Sequence, residues 1–496
     1  MVDASSTGGE RPSNTQGLVL RNTMLLVVGQ VLGMPLSIVL NAVMARHLGP
    51  EDFGYIYLAT TFASFGFLLG AWGQSGTLPA LVAKDRSQAG VLLGTGLAWR
   101  AASSLVVYGV MAIGCLILGY SAEFQVALAL VVVGCAFGAM IAAALDTIRG
   151  FERTDITAYS LLGWQVLTAM LVIPALLLGG RLRTVLIVQG MAAAITLAFV
   201  WRSLKHTTVG ALSFRRETLK RLLAEGTPFL YLNLTMALQP NVDGIFLSKL
   251  APADAVGWYA AARKLIGVLV YPASALTTAL YPTLSRLHVE NVESYRQTAI
   301  SALRATAILV VPVALGCALY AEVGIRIFSK ESFGPAEADL QVLSLFVLAC
   351  YFSMILGTTL SAAGRQRAWA GAQFLCVVVS AVFDPLLVPW FQRHTGNGGL
   401  GICVSSVASE VLMVVAAAWI LPRGILGRAL GRQLLLTLVA GAAMVVTARL
   451  LRPINPFVAA PISVLAYTGC LWATGGLNKE QLQILRGMFK RKGARP

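Results

Sequence analysis

The chain has 496 residues, 57% of them hydrophobic and 12% charged, with 38 basic against 22 acidic residues and a net charge of +16. Soluble domains carry about a quarter charged residues, so these charges cannot cover a globule of this size. The basic excess fits loops beside an anionic membrane surface better than a nucleic-acid groove.

Seven cysteines scattered through apolar runs and four well-separated histidines exclude a disulfide scaffold and an ordinary zinc module. No Gly-Lys dipeptide is present, so there is no Walker A loop to hold nucleotide phosphates. A His-Glu pair and a Gly-x-Ser-x-Gly elbow are absent as well. Nothing here points to an enzyme, a metal centre or a bound cofactor.

In chain order, residues 1–19 are polar and read as a disordered cytoplasmic tail, without the apolar core of a signal peptide. A membrane-crossing helix needs about 20 mostly apolar residues, and fourteen runs qualify. A first block holds 20–46, 53–79, 88–119, 124–149, 156–179 and 184–204. A second holds 226–250, 255–285, 296–321, 339–362, 367–391 and 399–421, and two further runs follow at 433–450 and 457–475. The expectation is an all-α membrane protein of about 14 transmembrane helices. It comprises a six-helix lobe at 20–205, a linker at 206–225, a second six-helix lobe at 226–421, two extra helices within 422–475 and a basic cytoplasmic tail at 476–496. In the linker, Phe214 to Leu223 has the spacing of a short basic amphipathic helix on the membrane surface.

With the N-terminus inside, the cytoplasmic segments hold 25 Lys and Arg and the opposite side 9, so both termini are expected in the cytoplasm. The two blocks echo each other. The stretch Ala45–Tyr55 after the first span aligns with Ser248–Trp258 after the seventh. Arg46 meets Lys249, Glu51 meets Asp254, Gly54 meets Gly257 and Tyr55 meets Trp258. Gly150–Arg153 similarly matches Gly364–Arg367. Echoes at corresponding places imply a duplicated six-helix unit, in parallel orientation.

Polar groups within hydrocarbon need partners or water. Gln30, Ser37 and Asn41 in the first span fall within about 40° of one another on a helix, a stripe that fits either a cavity wall or helix-to-helix hydrogen bonds. In the seventh span Tyr231, Thr235, Gln239 and Asp243 recur every fourth residue, and Pro240 should kink the helix. Two readings fit Asp243, a binding site on a broken helix or hydration near the outer end. In the eighth span Arg263 shares a face with Gly267, Ser274, Thr277 and Tyr281, while Lys264 points about 100° away. The expectation is that Arg263 faces an aqueous cavity and that Lys264 snorkels. Arg100 and Arg304 are further cations at depth. Asp384 and Glu410 are acids that could pair with a cation or carry a proton.

At Val31-Leu-Gly33, Ala45-Arg-His-Leu-Gly-Pro-Glu-Asp-Phe-Gly54, Arg149-Gly-Phe-Glu-Arg153 and Ala363-Gly-Arg-Gln-Arg367, the chain resembles the Wzx-type oligosaccharide flippases. These belong to the multidrug/oligosaccharidyl-lipid/polysaccharide exporter superfamily. With the repeat, the resemblance covers about residues 20–421. The two extra C-terminal helices also occur in the lipid II flippase branch. That branch tends to carry Arg-Asp one turn before the first-loop motif, where this chain has Leu40 and Asn41, which counts against a lipid II assignment.

The resemblance implies a multi-pass inner-membrane flippase moving undecaprenyl-pyrophosphate-linked oligosaccharide for O-antigen, lipopolysaccharide or other envelope polysaccharide, by alternating access. It implies that a polysaccharide polymerase and chain-length proteins act alongside, and that drive comes from a proton or sodium gradient, the membrane potential or the substrate gradient. The substrate-binding set expected on these grounds is Arg263, Lys264, Asp243, Gln239, Asn41, Gln30, Tyr231, Ser274 and Arg100. A cation-coupled multidrug antiporter of the same fold is the closest alternative, although the first three spans lack a deep acid. A membrane glycan polymerase or ligase would want a large external loop with catalytic residues, and the longest outer loop, 322–338, is short.

Overall fold

The computed structural model describes residues 13–205, 210–328, 331–422, 424–451 and 455–477. The described residues form fifteen α-helices and two short 3-10 turns, and no strand. The expected disordered tail and basic C-terminal tail lie largely outside the described residues. Twelve helical stretches among the described residues are long and apolar enough to cross a membrane. The difference from fourteen has a local cause. The first stretch, Gly33–Lys84, contains two expected crossings. The helix α7 (Arg216–Leu250) carries too many polar residues to pass on hydropathy, although its 35 residues would reach about 52 Å.

By internal packing the chain divides into two compact units. Unit 1 comprises Met1–His47 and Ala59–Ala237, and unit 2 comprises Leu48–Leu58 and Leu238–Pro496. Unit 1 contains most of α1 (Ser13–Ala71), with α2 (Gln74–Lys84), α3 (Ala89–Ile117), α4 (Ala122–Gly150), α5 (Thr154–Leu177), α6 (Leu182–Lys205) and the start of α7. The first helix breaks at Gly49, whose φ of 82° suits glycine. Its core joins Leu93 of α3, Ile141, Leu145 and Ile148 of α4 and Val200 of α6, all at most 2% exposed. Leu105, Val106, Val110, Ile113 and Ile117 of α3 are 58–79% exposed. An apolar face this bare is stable only in lipid.

Residues 210–215 do not lie free on the membrane surface. They run along the start of α3, where Gly90 and Gly94 leave room for the backbone of Gly210 and Ser213. The Thr95 hydroxyl donates to the Ser213 carbonyl at 3.4 Å and accepts from the Arg215 N–H at 3.1 Å. The basic stretch after Phe214 is helical from Arg216, as its spacing implied, but it continues unbroken into α7 instead of ending as a separate surface helix.

Unit 2 holds α8 (Ala253–Glu290), α9 (Val292–Leu319), α10 (Ala321–Phe328), α11 (Ala336–Ala362), α12 (Gln366–Thr395), α13 (Gly399–Ile420), α14 (Arg428–Leu451) and α15 (Pro456–Ala473). Helix α11 is its centre, packed on α8, α9 and α13. Helices α14 and α15 pair with each other and lie on α9. The Tyr467 hydroxyl donates to the Ile308 carbonyl at 3.0 Å, and Gly441 faces Val311 and Leu315.

Within unit 2 the two echoing motifs meet. A β-carbon on Gly54 would sit 2.6 Å from the Ala253 carbonyl oxygen, and one on Gly257 would run into the Pro50 carbonyl oxygen. The two repeat-related glycines thus let two backbones cross, and neither backbone can give way. Phe53 packs edge-on against Phe333, and Tyr57 against Tyr259, on the same surface. Gly257→Val is expected to destabilise unit 2 by about 3 kcal/mol or more, at the upper end for overpacking, seen as a lower unfolding temperature in detergent. An unchanged temperature would contradict the crossing.

Candidate functional site

Each unit contains a polar focus at membrane depth. In unit 2 it is charged and gathers four helices. Asp243 of α7 is 2% exposed, and Ser380 and Asp384 of α12 are fully buried. The Ser380 hydroxyl lies 3.3 Å from Asp243 Oδ1, to which it donates, and 3.2 Å from the hydroxyl of Ser405 on α13. The Asp384 carboxylate sits beside Asp243 and Ser405, yet neither of its oxygens completes a hydrogen bond to a protein donor.

Arg263 of α8 turns into this interior. Its guanidinium stands 4.7 Å from the centre of the Phe346 ring, close to Asp243 and Tyr259, and leaves Nη1 without a partner. Glu410 of α13 lies near Ser353, Cys350 and Arg263, with one carboxylate oxygen unpaired. Neither Asp384 nor Glu410 forms a salt bridge among the described residues. Asp243 and Glu410 thus flank one inward-facing cation, and Asp384 lies beside Asp243. Burying an unmatched carboxylate costs several kcal/mol, and two adjacent carboxylates cannot both ionise without a counter-charge. No group of three or more His, Cys, Asp or Glu able to hold a metal ion occurs among the described residues. The oxygens of Asp243, Asp384, Ser380 and Ser405 suit a proton or a small monovalent cation.

Lys264 takes the opposite direction. Its side chain is exposed, in line with the exposed Tyr271, Ser274 and Thr278 further along α8. It lies eleven residues from the start of α8, about 16 Å along the helix axis. Arg263 is turned among acids, and Lys264 is the exposed charge.

In unit 1 Arg100 is 3% exposed and its donors are consumed by protein. Nε donates to Gln74 Oε1 at 2.8 Å, Nη1 to the Ala139 carbonyl at 3.0 Å and Nη2 to Asp146 Oδ2 at 3.3 Å. The other Asp146 oxygen accepts from Arg149 at 3.3 Å. This is a closed structural network joining α2, α3 and α4. Asp146 escaped the sequence reading, although an opposite charge in the span after Arg100 was the available signal. Arg100→Ala is expected to cost about 3–5 kcal/mol, the usual penalty for breaking a buried pair, while Arg100→Met with Asp146→Leu recovers most of it. Thermal unfolding of both variants checks this. A harmless Arg100→Ala would contradict it.

A cavity of about 620 Å³ also lies between α1, α4, α5 and α6 in unit 1. Ser37 lines it, and Asn41, one turn on, donates to the Ser37 carbonyl at 2.7 Å. The side chain of Gln30 lies outside the described residues. Tyr231 is 65% exposed in unit 1, and Gln239 is half-buried in unit 2. Gln165 and Gln189 face the cavity. They come from different helices and have no signature in the sequence.

Known proteins agree with this architecture. The family model described as polysaccharide biosynthesis protein matches residues 19–288, and a MatE model matches 228–386. Comparison with curated proteins finds no sequence match. Among solved structures, the chain is similar to the lipid II flippase MurJ in an inward closed conformation, with a TM-score of 0.74 and 12% identity over 90% of this chain and 98% of that one. It is also similar to an inward-facing multidrug resistance MATE transporter, with a TM-score of 0.63 and 17% identity over 78% and 93% of the two chains. A transporter of the same superfamily from Pyrococcus furiosus gives a TM-score of 0.55 and 17% identity over 80% and 94%. These identities speak for a shared fold. Because the first family model spans more than half of the sequence, the chain belongs to the polysaccharide biosynthesis protein family, as a multi-pass membrane protein with the fold of the superfamily's flippases and transporters.

Proposed function

We propose that this protein flips an undecaprenyl-pyrophosphate-linked oligosaccharide from the cytoplasmic to the outer leaflet of the bacterial inner membrane. The observation that carries the reading is Lys264, a cation on an exposed, hydroxyl-bearing face of the candidate membrane span α8, eleven residues from its start. A charge there is tolerated only beside water or a counter-charge, and a diphosphate headgroup supplies that counter-charge. Tyr271, Ser274 and Thr278 on the same face offer hydrogen bonds to the headgroup or to sugar. Arg263 balances Asp243 and does not contact the headgroup. The Asp243–Asp384 pair binds the coupling ion, a proton or sodium, and the units alternate access as it loads and empties. A polysaccharide polymerase consumes the product, with chain-length proteins as further partners. A multidrug antiporter, in keeping with the MatE match and the similar MATE structure, is the rival reading.

Removing the gene from its host tests this. Surface polysaccharide should disappear while lipid-linked glycan accumulates in the cytoplasmic leaflet. Unchanged polysaccharide with increased drug sensitivity would favour the antiporter. Orientation is tested by reporter fusions at Asn397, expected outside, and after Pro496, expected inside. An external C-terminus would overturn the count of basic residues.

A further inference from the structure

The unit 1 cavity differs in chemistry from the charged cluster of unit 2. None of its lining residues is charged, so a phosphate, a carboxylated sugar or a cationic drug would find no counter-charge there. Its volume of about 620 Å³ lies within the range of about 300–1,000 Å³ common for small-molecule sites. Leucines, Phe67 and Trp164 make most of the wall, and hydroxyls and two amides complete it. Gln165 has no hydrogen-bond partner among the described residues. Gln189 reaches only the Met44 sulfur, at 3.5 Å. Two side-chain amides with open donors and acceptors are an unfavourable lining for an alkyl chain and a favourable one for hydroxyls.

The glycines of the wall point the same way. Gly134 and Gly138 of α4 and Gly190 of α6 lie inside helices, where glycine is disfavoured relative to alanine. Close packing does not require them. A β-carbon on Gly190 would meet nothing within 4 Å, one on Gly134 would lie 3.7 Å from Gly190 Cα, and one on Gly138 would lie 3.5 Å from the Trp164 ring. Alanine would fit at all three. What their small size preserves is the width of the cavity.

We infer that this cavity is a sugar subsite, which takes one uncharged hexose or N-acetylhexosamine unit of the lipid-linked glycan. The Trp164 indole lies against the C–H face of the ring, while Gln165 and Gln189 bond its hydroxyl or acetamido groups. The inference rests on the flippase reading above and adds to it the class of sugar carried, a neutral one at this position.

The test uses the full chain in lipid nanodiscs and three probes: farnesyl diphosphate, its glucosyl derivative and its N-acetylglucosaminyl derivative. Wild type should bind at least one glycosylated probe ten times more tightly than bare farnesyl diphosphate. Gly190→Leu, which fills the cavity, and Gln165→Leu with Gln189→Leu, which keeps its shape but removes the amides, should each erase that gain and leave the bare diphosphate affinity unchanged. A tenfold gain that survives both cavity variants would overturn the sugar subsite. So would a parallel loss of bare farnesyl diphosphate in Gly190→Leu, because the cavity would then hold the tail. Failure of all three probes to bind wild type would overturn the flippase reading itself, and this inference with it.

Discussion

Replacing Lys264 with alanine is expected to lower polysaccharide export by about a hundredfold, at unchanged protein level and membrane insertion. Lys264 is exposed on α8 with Tyr271, Ser274 and Thr278, eleven residues from the start of the helix. A charge-assisted contact of about 3 kcal/mol lost from the transported headgroup corresponds to about a hundredfold. Lys264→Arg should retain much of the activity, because the charge stays on the same face. Arg263→Ala should behave differently. It removes the cation beside Asp243 and Glu410 and leaves both acids without that balancing charge, at about 3–5 kcal/mol. Its main effect should be on folding, and little protein should reach the membrane. Export and membrane abundance measured together separate the two cases. Full export by Lys264→Ala would remove the headgroup role assigned to it.

Neutralising the buried carboxylates should uncouple transport while sparing the fold. Asp243 and Asp384 lie side by side, with Ser380 and Ser405 as the neighbouring hydroxyls, and both Asp384 oxygens lack a protein donor. Asp384→Asn removes the need for a proton or cation at this place. In vesicles with an imposed proton or sodium gradient, wild-type flipping should respond at least tenfold to the gradient. Asp384→Asn should flip at one rate with or without it, and Asp243→Asn should lose the response as well. A variant that keeps the full response would show that coupling resides elsewhere. Relieving mutual repulsion between buried acids should also raise the unfolding temperature of Asp384→Asn.

Hydropathy made the helical membrane fold legible, because lipid demands long apolar runs whatever the neighbours are. What it could not reveal was rotation and pairing. Arg263 and Lys264 are adjacent, and which of them turns inward depends on Phe346 and Asp243, which lie on other helices. Spacing along α8 grouped Arg263 with Ser274 and Tyr281, while packing grouped Lys264 with that face. Asp243 was legible as a deep acid on a Pro-containing helix. Its partnership with Asp384 was not, because 141 residues separate them in the chain. The cavity amides Gln165 and Gln189 are ordinary polar residues of two spans until α5 and α6 bring them to one wall. The meeting of Gly54 and Gly257 was half visible. Their equivalence is in the repeat, but their contact needs the fold.

The most direct test of the flippase reading follows one lipid across one bilayer. Purified protein is reconstituted into liposomes containing a fluorescent polyprenyl diphosphate that carries a short neutral glycan. The fraction open to an impermeant quencher is then followed in time. Wild-type protein should expose the inner-leaflet label within the assay, and Lys264→Ala at matched density should leave it at the protein-free rate. Equal, protein-independent rates for all samples, with efflux of a cationic dye by the wild type, would contradict the reading and place this chain among the drug antiporters of its fold.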